Sequence, residues 1–442
     1  MTAPIHPDDA TPADVPDGLD PDEATEAPTL AVRASFVLRA AIVFSYAGIV
    51  VLRPALPHNT AFVDLLLAAV SLGALLSMGR NGSPATRAAV KAMPWIWIII
   101  VASLLGLAGV GMALWGVIDL AVGLFALLTF FCFWHLVYLH HLERYAVWGT
   151  AAGLAITVGA VVTDGRLRNA GLFAQPNYPG HYAVLATMVL VYACRHWWAK
   201  ALAVVAMVIV IQESGSFGAI LMVAVVLAVL LWRLVTRHSA ILAAALVVAF
   251  IVGLFAVTNY VSTGSSGLNT QIPNVSGSIN SSRFNKSKGS RFGLWSDDLN
   301  AWVKEPLGLG PAGVLNRHIS LLNNTPLEVH NDVLSFLVER GPLGVVGFVG
   351  FWATLWRLAK RRGFARLMMF PILTAGLVRE TMHYRHVWLL LALAFVYDNR
   401  RSDDEEAAAT EPDEQPGFLA WTPEGAAPTD DHDDPPTALT WA

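Results

Sequence analysis

Apolar stretches of membrane-spanning length decide what this chain can fold into. A bilayer core of ~30 Å asks for roughly 20 apolar residues per helix. About twelve such stretches recur, centred on residues 36–52, 61–78, 95–114, 118–138, 145–162, 178–193, 199–211, 219–234, 240–257, 343–358, 367–377 and 387–397. Of the 442 residues, 55% are hydrophobic and 14% charged, a balance outside that of soluble domains. The expected fold is an all-α membrane protein of about 12 transmembrane helices with one large extracytoplasmic loop containing short helices.

Charge organises these stretches. All 29 basic residues lie between Arg33 and Arg401, and both ends of the chain carry only acids. The ends are rich in Pro, Ala, Asp, Glu and Thr, and such segments bury too little apolar surface to offset the entropy of ordering. The first residues lack the basic start and early apolar run of a signal peptide. Lys and Arg favour the cytoplasmic side of short loops. Arg80, Arg87 and Lys91, then Arg144, Arg195 and Lys200, Arg233 and Arg237, and the run from Arg357 to Arg366 fall on alternate loops without skipping a segment. This predicts acidic cytoplasmic tails over 1–32 and 399–442, nine spans over 33–260, an outer catalytic loop over 261–341 and three spans over 342–398. Cys132 and Cys194 both lie in apolar stretches, which suggests neither a disulfide framework nor a metal site.

Four arginines break the charge rule. Arg166 and Arg168 sit in one short outer loop, Arg379 and Arg385 in another. Basic residues there oppose the insertion bias, so they point to an outward-facing anion site. Asp64, Asp119, Glu213 and Glu380 fall near the outer ends of their spans, where a helix cap or an arginine partner is the simplest role for each.

The long loop opens with Ser, Gly and Asn-rich linker chemistry over 262–290. Trp295, Leu299 and Trp302 then recur at helical spacing, predicting a short helix lying in the membrane interface. Arg291 stands at its start, and Asp297, Asp298 and Asn300 lie off the apolar face. Pro306 stops this helix, and Gly308, Gly310 and Gly313 permit tight turns. The turn lacks the Lys-Ser/Thr of a nucleotide phosphate loop. A second helix follows, capped by Asn331 or Asp332 and ended by Gly341-Pro342. His330 therefore stands at a helix start, where its imidazole can accept a proton from a hydroxyl. No second His or acid stands at zinc spacing from it.

Arg291 with Trp295, then Pro306-Leu307-Gly308 and Gly310, then His330, Asn331, Leu334, Leu337, Glu339, Gly341 and Gly344 form a pattern. It resembles the O-antigen ligase and O-antigen polymerase family of bacterial envelope glycosyltransferases. The likeness runs from about Gly171 to Tyr397. It implies a multi-pass protein of the bacterial inner membrane that transfers a glycan from a polyprenyl-pyrophosphate carrier to a lipid, polymer or protein acceptor. It implies no cofactor, metal or nucleotide sugar, and no nucleic-acid partner. His330 becomes the base that acts on the acceptor and Arg291 a pyrophosphate contact. Asn331 and Glu339 of the motif and the outer-loop arginines Arg166, Arg168, Arg379 and Arg385 become substrate contacts. One departure stands out: the family often places a Ser-Arg pair at the start of the helix after the seventh span, and this chain has Phe217 there, with Arg168 or Arg385 as replacements. A polymerase of lipid-linked repeat units is the alternative. A transporter of anionic solutes is a further one, against which stand the scarcity of midplane charges and the absence of a visible internal repeat.

Overall fold

The computed structural model describes residues 23–51, 61–79, 82–110, 114–164, 170–173, 177–236, 293, 295–314 and 331–410. All secondary structure among them is helical. In chain order the helices are α1 (Glu23–Gly48), α2 (Phe62–Met78), α3 (Pro84–Val110), α4 (Leu114–Leu139), α5 (Glu143–Thr163), α6 (Asn177–Ala193), α7 (Trp197–Ser214) and α8 (Phe217–Val235). A short helix, α9, covers residues 295–304. Then come α10 (Asp332–Leu358), α11 (Phe364–Val378) and α12 (Arg385–Thr410). Six of these, α3, α4, α5, α7, α8 and α10, are long and apolar enough to cross a membrane. Every apolar stretch of the sequence corresponds to one of these helices except 240–257, which lies outside the described residues. The acidic ends before residue 23 and after residue 410 also lie outside them, as does the linker over 262–290. The compact helical unit runs to Arg400, and the residues from Arg401 onward form a second unit.

The first part of α12 is the axis of the bundle. Its run from Val387 to Val396 is apolar on every side and almost fully buried, as expected of a helix with no polar face. Trp388 meets Phe130 of α4 and Phe351 and Trp352 of α10. Phe395 meets Phe130 and Trp134 of α4. The hydroxyl of Tyr46, from α1, donates to the Leu389 carbonyl at 3.0 Å. Asp398 of α12 accepts from the backbone N–H of Phe364 at 2.6 Å and of Ala365 at 3.2 Å. It thereby satisfies two donors that the start of α11 cannot pair within its own helix.

α10 packs most extensively on α3 and is broken near its first third. Gly341 adopts φ 64°, ψ −170°, a conformation open to glycine and strained for other residues. A Cβ there would also lie 2.8 Å from the Pro306 carbonyl. In an unbroken helix the Val338 carbonyl would receive the N–H of residue 342, but that residue is proline and has none. The Leu309 N–H takes its place at 2.9 Å. Gly308, with φ 102°, lets the turn approach so closely that a Cβ would lie 2.4 Å from the Glu339 carbonyl. The sequence Pro-Leu-Gly-Leu-Gly therefore completes the broken helix by docking its backbone on the break.

The sequence places Trp295, Leu299 and Trp302 on one interfacial face of α9. In the structure this helix is rotated. Ala301 and the supposedly outer Asp298 are buried, while Trp295 and Trp302 flank them and pack on Leu309, Val314 and Val338. Leu299 and Val303 are left exposed together with Leu307 of the following turn. The correction follows from the partner surface: α9 lies on the docked turn and on α10, so the small Ala301 faces inward and the indoles fill the sides.

Candidate active site

One end of the bundle gathers the polar groups. Here α4, α10 and α12 begin and α3 and α11 end. Asn331 caps α10, its side-chain oxygen accepting from the Leu334 N–H at 3.0 Å. Its amide also donates to the Leu377 carbonyl at the end of α11, at 3.1 Å. Asp332 accepts from the backbone N–H and the hydroxyl of Thr381, at 2.7 and 2.5 Å. Two consecutive residues thus fasten the start of α10 to the end of α11 and to the segment that links α11 to α12.

Deeper in the same end lies an ionic cluster. The Arg340 guanidinium donates to Glu339 at 2.8 Å, to Asp119 of α4 at 3.2 Å and to the Ser103 hydroxyl of α3 at 3.2 Å. It also stacks over the Phe336 ring at 4.6 Å. Ser335 donates to Glu339 at 3.4 Å. On the other side of Asp119, His383 brings its Nε2 to 3.4 Å. Burial works against a charge on His383, but the Asp119 carboxylate, with Glu380 nearby, outweighs it and raises the imidazole to about 9. His383 is then a cation at neutral pH.

The sequence-predicted site residues fall into two groups. His330, Arg291, Arg166 and Arg168 lie outside the described residues. Asn331, Glu339, Arg379 and Arg385 lie within them, all at this end of the bundle. Glu339 is buried, with Arg340 and Ser335 as partners. Arg379 is also buried: it donates to the Tyr384 hydroxyl at 2.5 Å and lies 4.4 Å from the centre of the Tyr178 ring of α6. Arg385 pairs in forked fashion with both oxygens of Asp64 from α2. Asp64 also accepts from the Ala61 N–H at 2.8 Å, so it serves both as a cap and as an arginine partner. Phe217, at the start of α8, is 40% exposed.

Sequence reasoning passed over Arg340 and His383. The signal for Arg340 was a charged pair, Glu339-Arg340, placed just before a helix break within an apolar run. His383 had none, since the carboxylate that fixes it belongs to α4. Among the described residues, no three His, Cys, Asp or Glu side chains are grouped to hold a metal.

The break in α10, the docked glycine turn and the capped start at Asn331 are three parts of one stretch. Residues 202–351 match the O-antigen ligase family. The match supports assigning the chain to that family. It spans α7 to the middle of α10 and includes Phe217, Arg291, His330, Glu339 and Arg340. Asp119, Arg379, His383 and Arg385, which complete the polar end of the bundle, lie outside the matched residues. No curated protein matches the chain. The matched family and the helices long and apolar enough to cross a membrane together fit a multi-pass membrane protein.

Proposed function

We propose that the protein transfers a glycan from a polyprenyl-pyrophosphate carrier to an acceptor hydroxyl at the outer face of the bacterial cytoplasmic membrane. The observation that carries the reading is the O-antigen ligase match over residues 202–351, which contains both Arg291 and His330. In the proposed arrangement both acidic tails are cytoplasmic and the segment over 261–341 is the outer catalytic loop. The bond between the anomeric carbon and the pyrophosphate oxygen breaks, and its electron pair leaves with the lipid pyrophosphate. The acceptor oxygen forms the new bond and gives its proton to His330. Arg291, with Arg166 and Arg168, offers forked donors to the charge growing on the leaving oxygen. Arg385, already paired with Asp64, and Arg379, set between Tyr178 and Tyr384, contribute mainly through the field they hold at this end of the bundle.

The fastening of Asn331 and Asp332 supports the role given to His330. A base works only when held within reach of the proton it removes, and the residue next to position 330 is held by two hydrogen bonds to separate elements. The reading is tested by incubating purified protein with a lipid-pyrophosphate glycan and separate candidate acceptors. A single addition to a lipid or protein acceptor identifies a ligase. A ladder built on the donor itself identifies a polymerase. Uptake of an anionic solute into liposomes, with no glycan transferred, would end the enzyme reading.

A further inference from the structure

The geometry points to His383, held by Asp119, as a further substrate-contacting residue that donates to the pyrophosphate of the lipid-linked donor. This rests on the function proposed above and adds to it a residue outside the family match.

The ionic cluster has a buried half and an open half. The Arg340 and Glu339 side chains are 5% and 7% exposed and form the buried half. Those of Asp119 and His383 are 23% and 25% exposed, so the cluster meets its surroundings through this pair. The contact with Asp119 favours a proton on His383, since a carboxylate at 3.4 Å stabilises the charged imidazole.

Among the described residues, Asp119 of α4 and Glu380 of its own segment favour the charge on His383, Arg340 of α10 opposes it, and the carboxyls of Glu339 and Asp332 of α10 also face it. Asp119 engages Nε2, and a protonated imidazole carries a second donor at Nδ1 that takes no part in that contact.

An aspartate behind an imidazole also suits a general base, but a base must be neutral when it acts. With Asp119 3.4 Å from its Nε2, the His383 imidazole is held in its charged form, which suits the leaving-group side of the reaction and leaves the acceptor proton to His330. The location agrees, because His383 and Thr381 share the short segment that fastens Asp332, two residues from position 330.

The test is binding of a polyprenyl pyrophosphate to the purified full-length protein in detergent, alongside donor KM and kcat in the transfer assay. His383→Gln removes the charge and His383→Lys keeps one. The expected result for His383→Gln is binding weakened roughly ten-fold or more with a matching rise in donor KM, and recovery of both in His383→Lys. Wild-type affinity should also fall as pH rises through about 9, with that fall moved to higher pH in His383→Lys. If His383→Gln binds the probe as tightly as wild type while only its melting temperature drops, His383 is structural and this inference is overturned alone. If the wild-type protein neither binds the probe nor transfers glycan, the proposed function falls and this inference with it.

Discussion

At the scale of single residues, Arg340 holds the most interactions at the polar end of the bundle. It joins α3, α4 and α10 through Ser103, Asp119 and Glu339. Arg340→Met should destabilise the purified protein by roughly 3–5 kcal/mol, because two carboxylates then face each other without their cation. A chemical-denaturation midpoint in detergent checks this, and an unchanged midpoint would show that the cluster adds nothing. His383 gives a prediction in pH. Its ordinary value of 6.5 is raised to about 9 in the fold, so the native state binds more protons between those values. The stability it contributes is therefore complete below about 6.5 and is lost as pH rises through about 9. Melting curves across that window should show the fall in wild type and a flatter profile in His383→Gln. Little of this was legible in the sequence, where the Glu339-Arg340 pair before the helix break was the one signal. Arg340 and Asp119 are 221 positions apart, and Arg340 and Ser103 are 237 apart, so only the packing of α3, α4 and α10 brings them together. The acids and arginines were flagged one at a time, because their pairings, such as Asp64 with Arg385, depend on tertiary structure that periodicity does not encode.

At the scale of elements, the break in α10 and the glycine turn form one device. Pro342 leaves the Val338 carbonyl without its helical donor, and Leu309 supplies one from the turn. Gly341→Ala should cost roughly 1–2 kcal/mol in backbone strain, and its Cβ would press on the Pro306 carbonyl at 2.8 Å. The expected consequence is release of the turn, seen as faster amide exchange across residues 306–314 while α12 remains protected. Unchanged exchange in the turn would contradict the coupling. Much at this scale could be read from residue order. The span-length runs marked the helices, Gly341-Pro342 marked the break, and Asn331 was one of two residues expected to cap α10. The orientation of α9 could not be read. Its i, i+4, i+7 stripe shows which residues are apolar, but the neighbouring turn determines which of them face inward, and it selects Ala301 and Asp298.

At the scale of the whole molecule, the bundle is built around an apolar helix and concentrates its buried charge at one end. The first part of α12 contributes the axis, and α3, α4, α10 and the segment before α12 contribute the ionic cluster. The proposed topology places that end outside the cell and the basic α10–α11 turn inside. With Cys132 and Cys194 replaced, a single cysteine in the 261–290 linker should react with a membrane-impermeant maleimide in intact cells, and one at Arg361 should not. The reverse pattern would invert the topology and place the proposed chemistry on the wrong side for a lipid-linked glycan. The central claim is transfer itself, and it is tested most directly with purified protein and a polyprenyl-pyrophosphate glycan, comparing wild type with His330→Ala and Arg291→Ala. The account predicts glycan transfer by wild type and a loss of roughly 100-fold or more in His330→Ala, with a marked loss in Arg291→Ala. Full activity in both variants would contradict it.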